Sequence, residues 1–332
     1  MSSAAPAQSG SAQRAYRWLR SLQELGVLIA LILICVVLAV AKPQTFPTAS
    51  NLLQVARQSS YIGIMAVGMV FVITMGDIDL SVGAIFTLTN VAAAMALRDG
   101  HSLPVALLIG VGTGALCGCI NGSLAVLLRI PMIIVTLGTM SVYRGLALIL
   151  CHNAPVSQFP KDGAFFTVGG GSLFEIPMSV VLMLVVSAIG WVALTRSVPG
   201  RRIEAIGGNP VSAHLSGISL NGYRIGVMTL NGIIAALAGI IALAFSQSAN
   251  PTAGVGFELW VIASVIIGGT ALSGGRGSVP GAILGALIIH VIRNGLVLMD
   301  APPNTDVVVT GGAIILAVAI DSFVRRRAQK RA

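Results

Sequence analysis

Two acidic side chains stand close together in an otherwise apolar stretch of the sequence. Asp77 and Asp79 are the only charged residues between Tyr61 and Leu97. A charge in the middle of a lipid bilayer costs about 2.5–3.5 kcal/mol on insertion scales, so such residues usually pair, line water or bind nearby polar groups. One interpretation is that the carboxylates line a polar path. The other is that they cap the helix that follows. The two are compatible, and the need for a local partner favours capping.

Glycines flank this acidic pair. Gly76 and Gly83 allow the backbone to leave helical geometry and to resume it. The apolar run before them, residues 61–75, is shorter than the about 20 residues with which a helix crosses a bilayer. The pattern predicts a short helix, a polar break at 76–83 and a new helix, which together form a discontinuous or re-entrant membrane segment.

The composition places the whole chain in a membrane. Of its 332 residues, 55% are hydrophobic and 9% are charged, against about 25% charged residues in soluble domains. This predicts an all-α polytopic membrane protein without a sizeable soluble domain. The net charge is +9, but the basic residues are not interleaved with aromatic ones, which excludes a nucleic-acid site. The four cysteines mostly lie in apolar runs and predict packing, with no metal-ligand spacing.

Apolar segments follow one another along the chain, about ten in number. If the N-terminus is cytoplasmic and the segments alternate, 14 of the 20 Lys and Arg residues fall in cytoplasmic segments and only four fall outside. This bias predicts that both termini are cytoplasmic. The expected organisation is a tail at 1–23, one transmembrane domain at 24–323 and a basic tail at 324–332. The predicted segments are 24–41, 61–75, 81–97, 104–128, 132–151, 177–195, 224–245, 258–272, 279–299 and 306–323.

Glycine recurs at every fourth position in two of these segments. Glycines 110, 114, 118 and 122 share one helix face, and glycines 277, 281 and 285 share another. Such spacing lets helix backbones approach closely in lipid, so it predicts packing. The glycine-rich stretch 267–281 lacks the Gly-Lys-Ser/Thr ending of a nucleotide-binding loop. Any ATP hydrolysis must therefore take place on another polypeptide.

The loop at 196–222 is cytoplasmic by the charge rule and too long for a simple turn. Asn209 or Ser212 is expected to begin a short helix that runs to about Leu215 and is ended by Gly217. A helix of this kind either lies on the lipid headgroups or contacts a cytoplasmic partner. The length of the loop leaves both alternatives open.

Short motifs are spread along most of the chain, at residues 46–48, 51–53, 76–83, 120–122, 135–140, 144–147, 205–210, 215–218, 267–270, 272–278 and 294–296. Each of them is weak alone. Together, and in this order, they resemble the permease subunits of bacterial ABC importers for ribose and related sugars. Asp77 stands where that family's pattern usually has Gly or Ser.

The resemblance implies a transport subunit of the bacterial inner membrane that is not an enzyme and holds no cofactor. ATP and magnesium would be bound by a partner ATPase, often two fused nucleotide-binding domains. A periplasmic sugar-binding protein would dock outside, and a second permease, identical or a paralogue, would complete the path. The segment from about 204 to 217 is similar to the family's loop that couples the ATPase to the helices. Its candidate coupling residues are Glu204, Gly207, Gly208, Asn209, Pro210, Ser216 and Gly217.

Polar residues inside the predicted spans are the candidates for the path. Each has a structural alternative, because Asn side chains often bond across helices and Arg144 can form an ion pair with Asp79 or Glu258. His290 is more typical of a hydrogen-bonded core residue than of a ligand. The path candidates are Asp79, Ser81, Asn90, Asn121, Arg144, Asn231, Glu258 and Asn294.

Other function classes fit the sequence less well. A branched-chain amino-acid permease is the nearest alternative, and residues 76–83 favour the sugar branch. A stand-alone ion-coupled carrier would use the Asp77/Asp79 break as its coupling site, but it has no need of a long cytoplasmic docking loop. An intramembrane enzyme is disfavoured, because no nucleophile, metal-ligand or paired-carboxylate spacing supports one.

Overall fold

The computed structural model describes residues 9–161 and 163–329 of the chain as a helical bundle with one small hairpin. The strands β1 (Ser172–Leu173) and β2 (Ile176–Pro177) pair antiparallel. The helices are α1 (Ser9–Ala41), α2 (Ala49–Met75), α3 (Val82–Arg98), α4 (Leu103–Leu128), α5 (Met132–Leu150), α6 (Ala164–Gly169), α7 (Met178–Arg196), α8 (Val198–Gly208), α9 (Pro210–Leu215), α10 (Leu220–Ser246), α11 (Phe257–Ile267), α12 (Val279–Leu298) and α13 (Thr305–Gln329).

Within the described residues, seven helices are long and apolar enough to cross a membrane: Glu24–Ala41 of α1, with α2, α4, α5, α7, α10 and α12. The shorter apolar helices are α3, α11 and Thr305–Leu316 of α13. The chain is therefore a multi-pass membrane protein, and each predicted apolar segment overlaps one of these helices. Helix α1 already begins at Ser9, so part of the predicted tail 1–23 is helical. Residues 1–8 and 330–332 of the predicted tails lie outside the described residues.

Helix α2 is the centre of the bundle and is longer than the sequence predicts. In its most apolar 18-residue stretch, 89% of the residues are buried inside the chain, against 6% in the corresponding stretch of α1. Thr48 caps its start by accepting a hydrogen bond from the backbone N–H of Asn51 over 3.4 Å, so α2 has 27 residues. The prediction of a short helix before the acidic pair is therefore wrong. The short helix is α3, of 17 residues, and it follows the break.

The segment 76–81 turns back into the bundle. At the end of α2, the carbonyl of Thr74 accepts a hydrogen bond from Gly275 N and lies against Gly207 of α8. Asp79, only five residues later, bonds to Asn231 of α10, about three turns and roughly 16 Å beyond the first residue of that helix. Non-helical backbone at this depth is tolerated because protein surrounds it. We call the end of the bundle that carries α8 and α9 the α8 end.

A second discontinuity mirrors the first. Helix α10 also has 27 residues and also ends at a left-handed residue, Gln247, as α2 ends at Gly76. The segment 247–256 then leads to α11, of 11 residues. Gly254 N donates to Thr87 Oγ1 over 3.0 Å, and a Cβ on Gly83 would lie 2.5 Å from Gly254 O. The segment that leads into α11 therefore touches the first turns of α3.

The glycine repeats are packing surfaces, as predicted, except that Gly277 precedes α12, which begins at Val279, and so shares no helix face with Gly281 and Gly285. A Cβ on Gly114 or Gly118 would overlap the backbone carbonyl of Gly232 or Met228 in α10. On α12, a Cβ on Gly285 would overlap the carbonyl of Ser264 in α11. Close backbone approach of this kind holds helices together where burial of apolar surface provides no driving force.

Candidate functional site

Helix α8 presses against the end of α2 at one glycine. Its N-terminus is fixed by Ser197, whose Oγ accepts the N–H of Gly200 over 3.0 Å. A Cβ on Gly207 would overlap the carbonyl oxygen of Thr74 and lie 2.5 Å from Gly275 N. Gly208, the next residue, has no atom within 4 Å of its Cβ position. Of the adjacent candidate coupling glycines 207 and 208, only Gly207 leaves no room for a side chain.

Helix α9 is capped where the sequence predicts. Asn209 Oδ1 accepts the backbone N–H of Ser212 over 3.0 Å, and Gly217 ends the segment with a φ of 79°. Pro210 occupies the first helical turn, and the Ser216 hydroxyl donates back to Ser212 O over 2.9 Å. Val211 and Leu215 are exposed by 69% and 82%. The predicted short helix is preceded by α8, which the sequence analysis missed and which holds Glu204 half-buried.

Asp79 is fully buried and holds the break together. Its Oδ1 accepts hydrogen bonds from Ser81 N over 2.7 Å and from Ser81 Oγ over 2.6 Å. Its Oδ2 accepts one from Asn231 Nδ2 over 2.8 Å. The carboxylate thus closes the turn before α3 and fastens it to α10. These contacts are structural and give the acid the local partners that it was expected to need. The capping interpretation is nevertheless wrong, because Asp79 bonds to Ser81, which precedes the first residue of α3, and the start of α3 has no side-chain cap hydrogen bond.

The same network continues into two further helices. Asn121 Nδ2 of α4 donates to Ser81 Oγ over 2.8 Å, and the hydroxyl of Tyr143 in α5 donates to Asn121 Oδ1 over 3.0 Å. All of these side chains are buried. The structure therefore brings four of the path candidates, Asp79, Ser81, Asn121 and Asn231, together in the interior. Their hydrogen bonds connect the break to α10 and α4, and Tyr143 extends the network to α5. Sequence reasoning missed Tyr143, which only the helix packing brings to Asn121.

Asp77 has a different partner. Arg224 Nε of α10 donates to Asp77 Oδ2 over 3.1 Å. Asp77 is 8% exposed, whereas the Arg224 side chain is 45% exposed. The pair therefore lies at the edge of the bundle, at the α8 end. The sequence gives no sign of this pair, because the two residues are 147 positions apart.

Arg144 pairs with Glu258, one of the two acids that the sequence offered as its partner. Arg144 Nη2 lies 3.5 Å from Glu258 Oε1, with side chains 28% and 12% exposed. Glu258 Oε2 has no hydrogen-bond partner among the described residues, and it lies 2.7 Å from the position that a Cβ on Gly83 would take. The pair therefore sits beside the first turn of α3. It is charged and partly exposed, and the oxygen without a partner, Glu258 Oε2, is itself buried.

The remaining polar candidates tie helices together. Asn90 Nδ2 donates to Gly239 O over 3.0 Å. Asn294 and Asn51 exchange two hydrogen bonds, of 2.7 and 3.1 Å, between α12 and α2. His290 bonds to Ala286 O in its own helix over 3.0 Å. Within the part of the chain that the structure describes, no group of His, Cys, Asp and Glu residues has the arrangement of a metal site.

Comparison with known proteins gives a consistent family. Residues 51–318 match the family described as "Branched-chain amino acid transport system / permease component". The chain is 37% identical to the ribose import permease protein of Haemophilus influenzae, over 89% of this chain and 92% of the relative. It is 37% identical to the D-allose transport system permease protein of Escherichia coli, over 91% and 92%. It is 34% identical to the fructose import permease protein of Rhizobium meliloti, over 90% and 85%.

These matches span nearly all the helices described above, including both discontinuities, α8 and α9. The resemblance drawn from the sequence motifs is therefore confirmed. The chain belongs to the family of ABC transporter permeases that contains the ribose, allose and fructose import permeases.

Proposed function

We propose that this chain is the membrane permease subunit of an ABC importer that carries a monosaccharide across the bacterial inner membrane. The observation that carries the proposal is the set of relatives named as sugar import permeases, each 34–37% identical over nearly the whole chain. The cargo class is a pentose, a hexose or a related polyol. The family description names branched-chain amino acids, but the near-full-length sugar relatives favour a sugar.

The proposed topology has ten crossings with both termini in the cytoplasm. The basic residues support it, because Arg129, Arg202 and Arg224 all lie at the α8 end of the bundle. Cytoplasmic loops carry such an excess of Lys and Arg. In this orientation the segments after α2 and α10 enter the bundle from opposite sides.

The ATPase partner is proposed to dock on α8 and α9. Exposed Val211 and Leu215 give α9 an apolar outer surface, and Gly207 gives α8 a backbone contact with the end of α2. A displacement of α9 would therefore be transmitted through α8 and the backbone contact between Gly207 and Thr74 to the break, which starts at Gly76. This arrangement favours a protein partner over the headgroup-lying helix that the sequence left open. ATP and magnesium belong to that partner.

The Arg144–Glu258 pair is the proposed point of contact with the cargo. Asn90 Oδ1, Asn231 Oδ1 and Glu258 Oε2 are all buried without a hydrogen-bond partner among the described residues. Of these three residues only Glu258 carries a charge, and it pairs with the partly exposed side chain of Arg144. Carboxylate and guanidinium groups bind sugar hydroxyls with charge-assisted hydrogen bonds. The path is completed by a second permease, and a periplasmic binding protein delivers the sugar.

Uptake of radiolabelled sugar tests the proposal. Inside-out and right-side-out vesicles that contain the chain are compared with and without the ATPase, the binding protein and ATP. We expect uptake of ribose, allose or fructose only when all of them are present. Uptake by the chain alone, driven by an ion gradient, would instead establish a secondary carrier.

A further inference from the structure

A pocket at the α8 end has the chemistry of an anion site, and no step described above uses it. It lies between the turn that joins α4 to α5 and the first turn of α10, and its volume is about 430 Å³. This size falls in the range of about 300–1,000 Å³ that is usual for small-molecule sites. Its polar lining consists of Arg129, Arg224 and Asn221.

The two arginines leave an excess of positive charge in the pocket. Arg224 is paired with Asp77 over 3.1 Å. Arg129 is exposed, and no carboxylate among the described side chains forms an ion pair with it. The site therefore holds one guanidinium in an ion pair and a second without a counter-charge. A single negative charge would balance it.

The backbone at Arg129 has a conformation that glycine adopts more readily than arginine. Arg129 ends α4 with a φ of 56° and a ψ of 36°, which is left-handed geometry. Glycine takes this position in most helix ends, because a side chain is disfavoured there. Seven other non-glycine residues in the described part of the chain also have a positive φ. The geometry therefore shows that Arg129→Gly fits the backbone, and the case for a binding site rests on the pocket and its charge.

The surroundings of the pocket decide which anion fits. Leu127 and Leu128, just before Arg129, are exposed by 76% and 60%. Ile133 and Ile134, at the start of α5, are exposed by 42% and 56%. A free phosphate ion would use only the arginines. A phospholipid would use both features, with its phosphate in the pocket and its acyl chains along these apolar side chains.

We propose that Arg129, Arg224 and Asn221 bind the phosphate headgroup of an anionic phospholipid. The leaflet rests on the proposed topology, in which the α8 end faces the cytoplasm, where basic pockets between membrane helices bind acidic headgroups. The bound lipid holds the α4–α5 turn against α10. It does so beside the Asp77–Arg224 pair that anchors the break.

Lipid binding is tested on the purified full-length chain by native mass spectrometry. Phosphatidylglycerol is titrated against phosphatidylcholine in detergent, with no sugar, ATPase or binding protein present. Failure of the importer proposal therefore does not affect the result. The variant is Arg129→Gly, which the left-handed backbone accepts and which should melt no lower than the wild type. Arg201→Gln, an exposed arginine at the same end outside the pocket, is the matched control.

We expect preferential binding of phosphatidylglycerol, weakened about tenfold in Arg129→Gly because one charge-assisted hydrogen bond is lost, and unchanged in Arg201→Gln. Equal affinity for the two lipids would overturn the proposed site, and so would an equal loss of phosphatidylglycerol affinity in Arg129→Gly and Arg201→Gln. Inorganic phosphate is added as a competitor. Displacement of the lipid by phosphate at micromolar concentration would assign the site to the free ion and overturn the lipid assignment.

Discussion

Replacement of Gly207 by alanine should uncouple transport, because the contact between α8 and α2 leaves no room for a methyl group. The new Cβ would overlap Thr74 O and lie 2.5 Å from Gly275 N, between two atoms that share a 2.8 Å hydrogen bond. Both neighbours are backbone atoms, so neither can rotate away. Overpacking costs about 1–3 kcal/mol, and a hydrogen bond left unsatisfied adds about 1–3 kcal/mol.

A total of about 2–6 kcal/mol lowers the docking equilibrium of α8 by more than tenfold. We therefore expect the initial rate of ATP-dependent sugar uptake to fall at least tenfold in Gly207→Ala. Membrane abundance should stay near that of the wild type, because α8 lies outside the membrane-spanning helices. The ATPase should still hydrolyse ATP, with less stimulation by the sugar-loaded binding protein.

Gly208→Ala is the matched control. Its Cβ would meet no atom within 4 Å, and alanine is a better helix former than glycine by about 1 kcal/mol. Uptake should stay within about twofold of the wild type. Normal transport by Gly207→Ala, or equal loss of uptake in both variants, would refute a role for the contact between Gly207 and the end of α2. Equal loss would mean that the outer surface of α8 matters and its contact with α2 does not.

Substitutions at two further positions separate structural from transport roles. Asp79→Leu should prevent folding, because the Ser81 and Asn231 donors would be buried without acceptors at about 1–3 kcal/mol each. Asp79→Asn should fold and transport, since Asn231 can turn its amide and accept from the new side chain. Thermal unfolding in detergent and membrane abundance measure both, and equal loss in the two variants would show that the charge itself is needed. Glu258→Gln should lower the uptake rate about tenfold if its carboxylate binds cargo. It should leave abundance nearly unchanged, because glutamine has the same size and its amide oxygen can still accept a hydrogen bond from Arg144. Normal uptake in Glu258→Gln would remove that pair from the path.

The sequence by itself determined the class of protein and most helix boundaries. Low charge and repeated apolar runs require helices that satisfy their own backbone groups in lipid, so composition alone predicts a polytopic bundle. The glycine repeats predicted close packing, and Asn209 predicted the cap of α9. Each of these features depends on residues within a few turns of one another, which is why local patterns are sufficient.

Tertiary structure decided the partners and the roles. Helix α2 extends back to Ala49 although its first turns are polar, because Asn51 pairs with Asn294 from the other end of the chain. Asp79 bonds to Asn231 and not to an arginine, and Arg144 pairs with Glu258. Gly207 and Gly208 are identical in sequence terms, and only the position of Thr74 distinguishes them. These contacts join residues more than a hundred positions apart, so they depend on how the helices pack, and no local pattern encodes that.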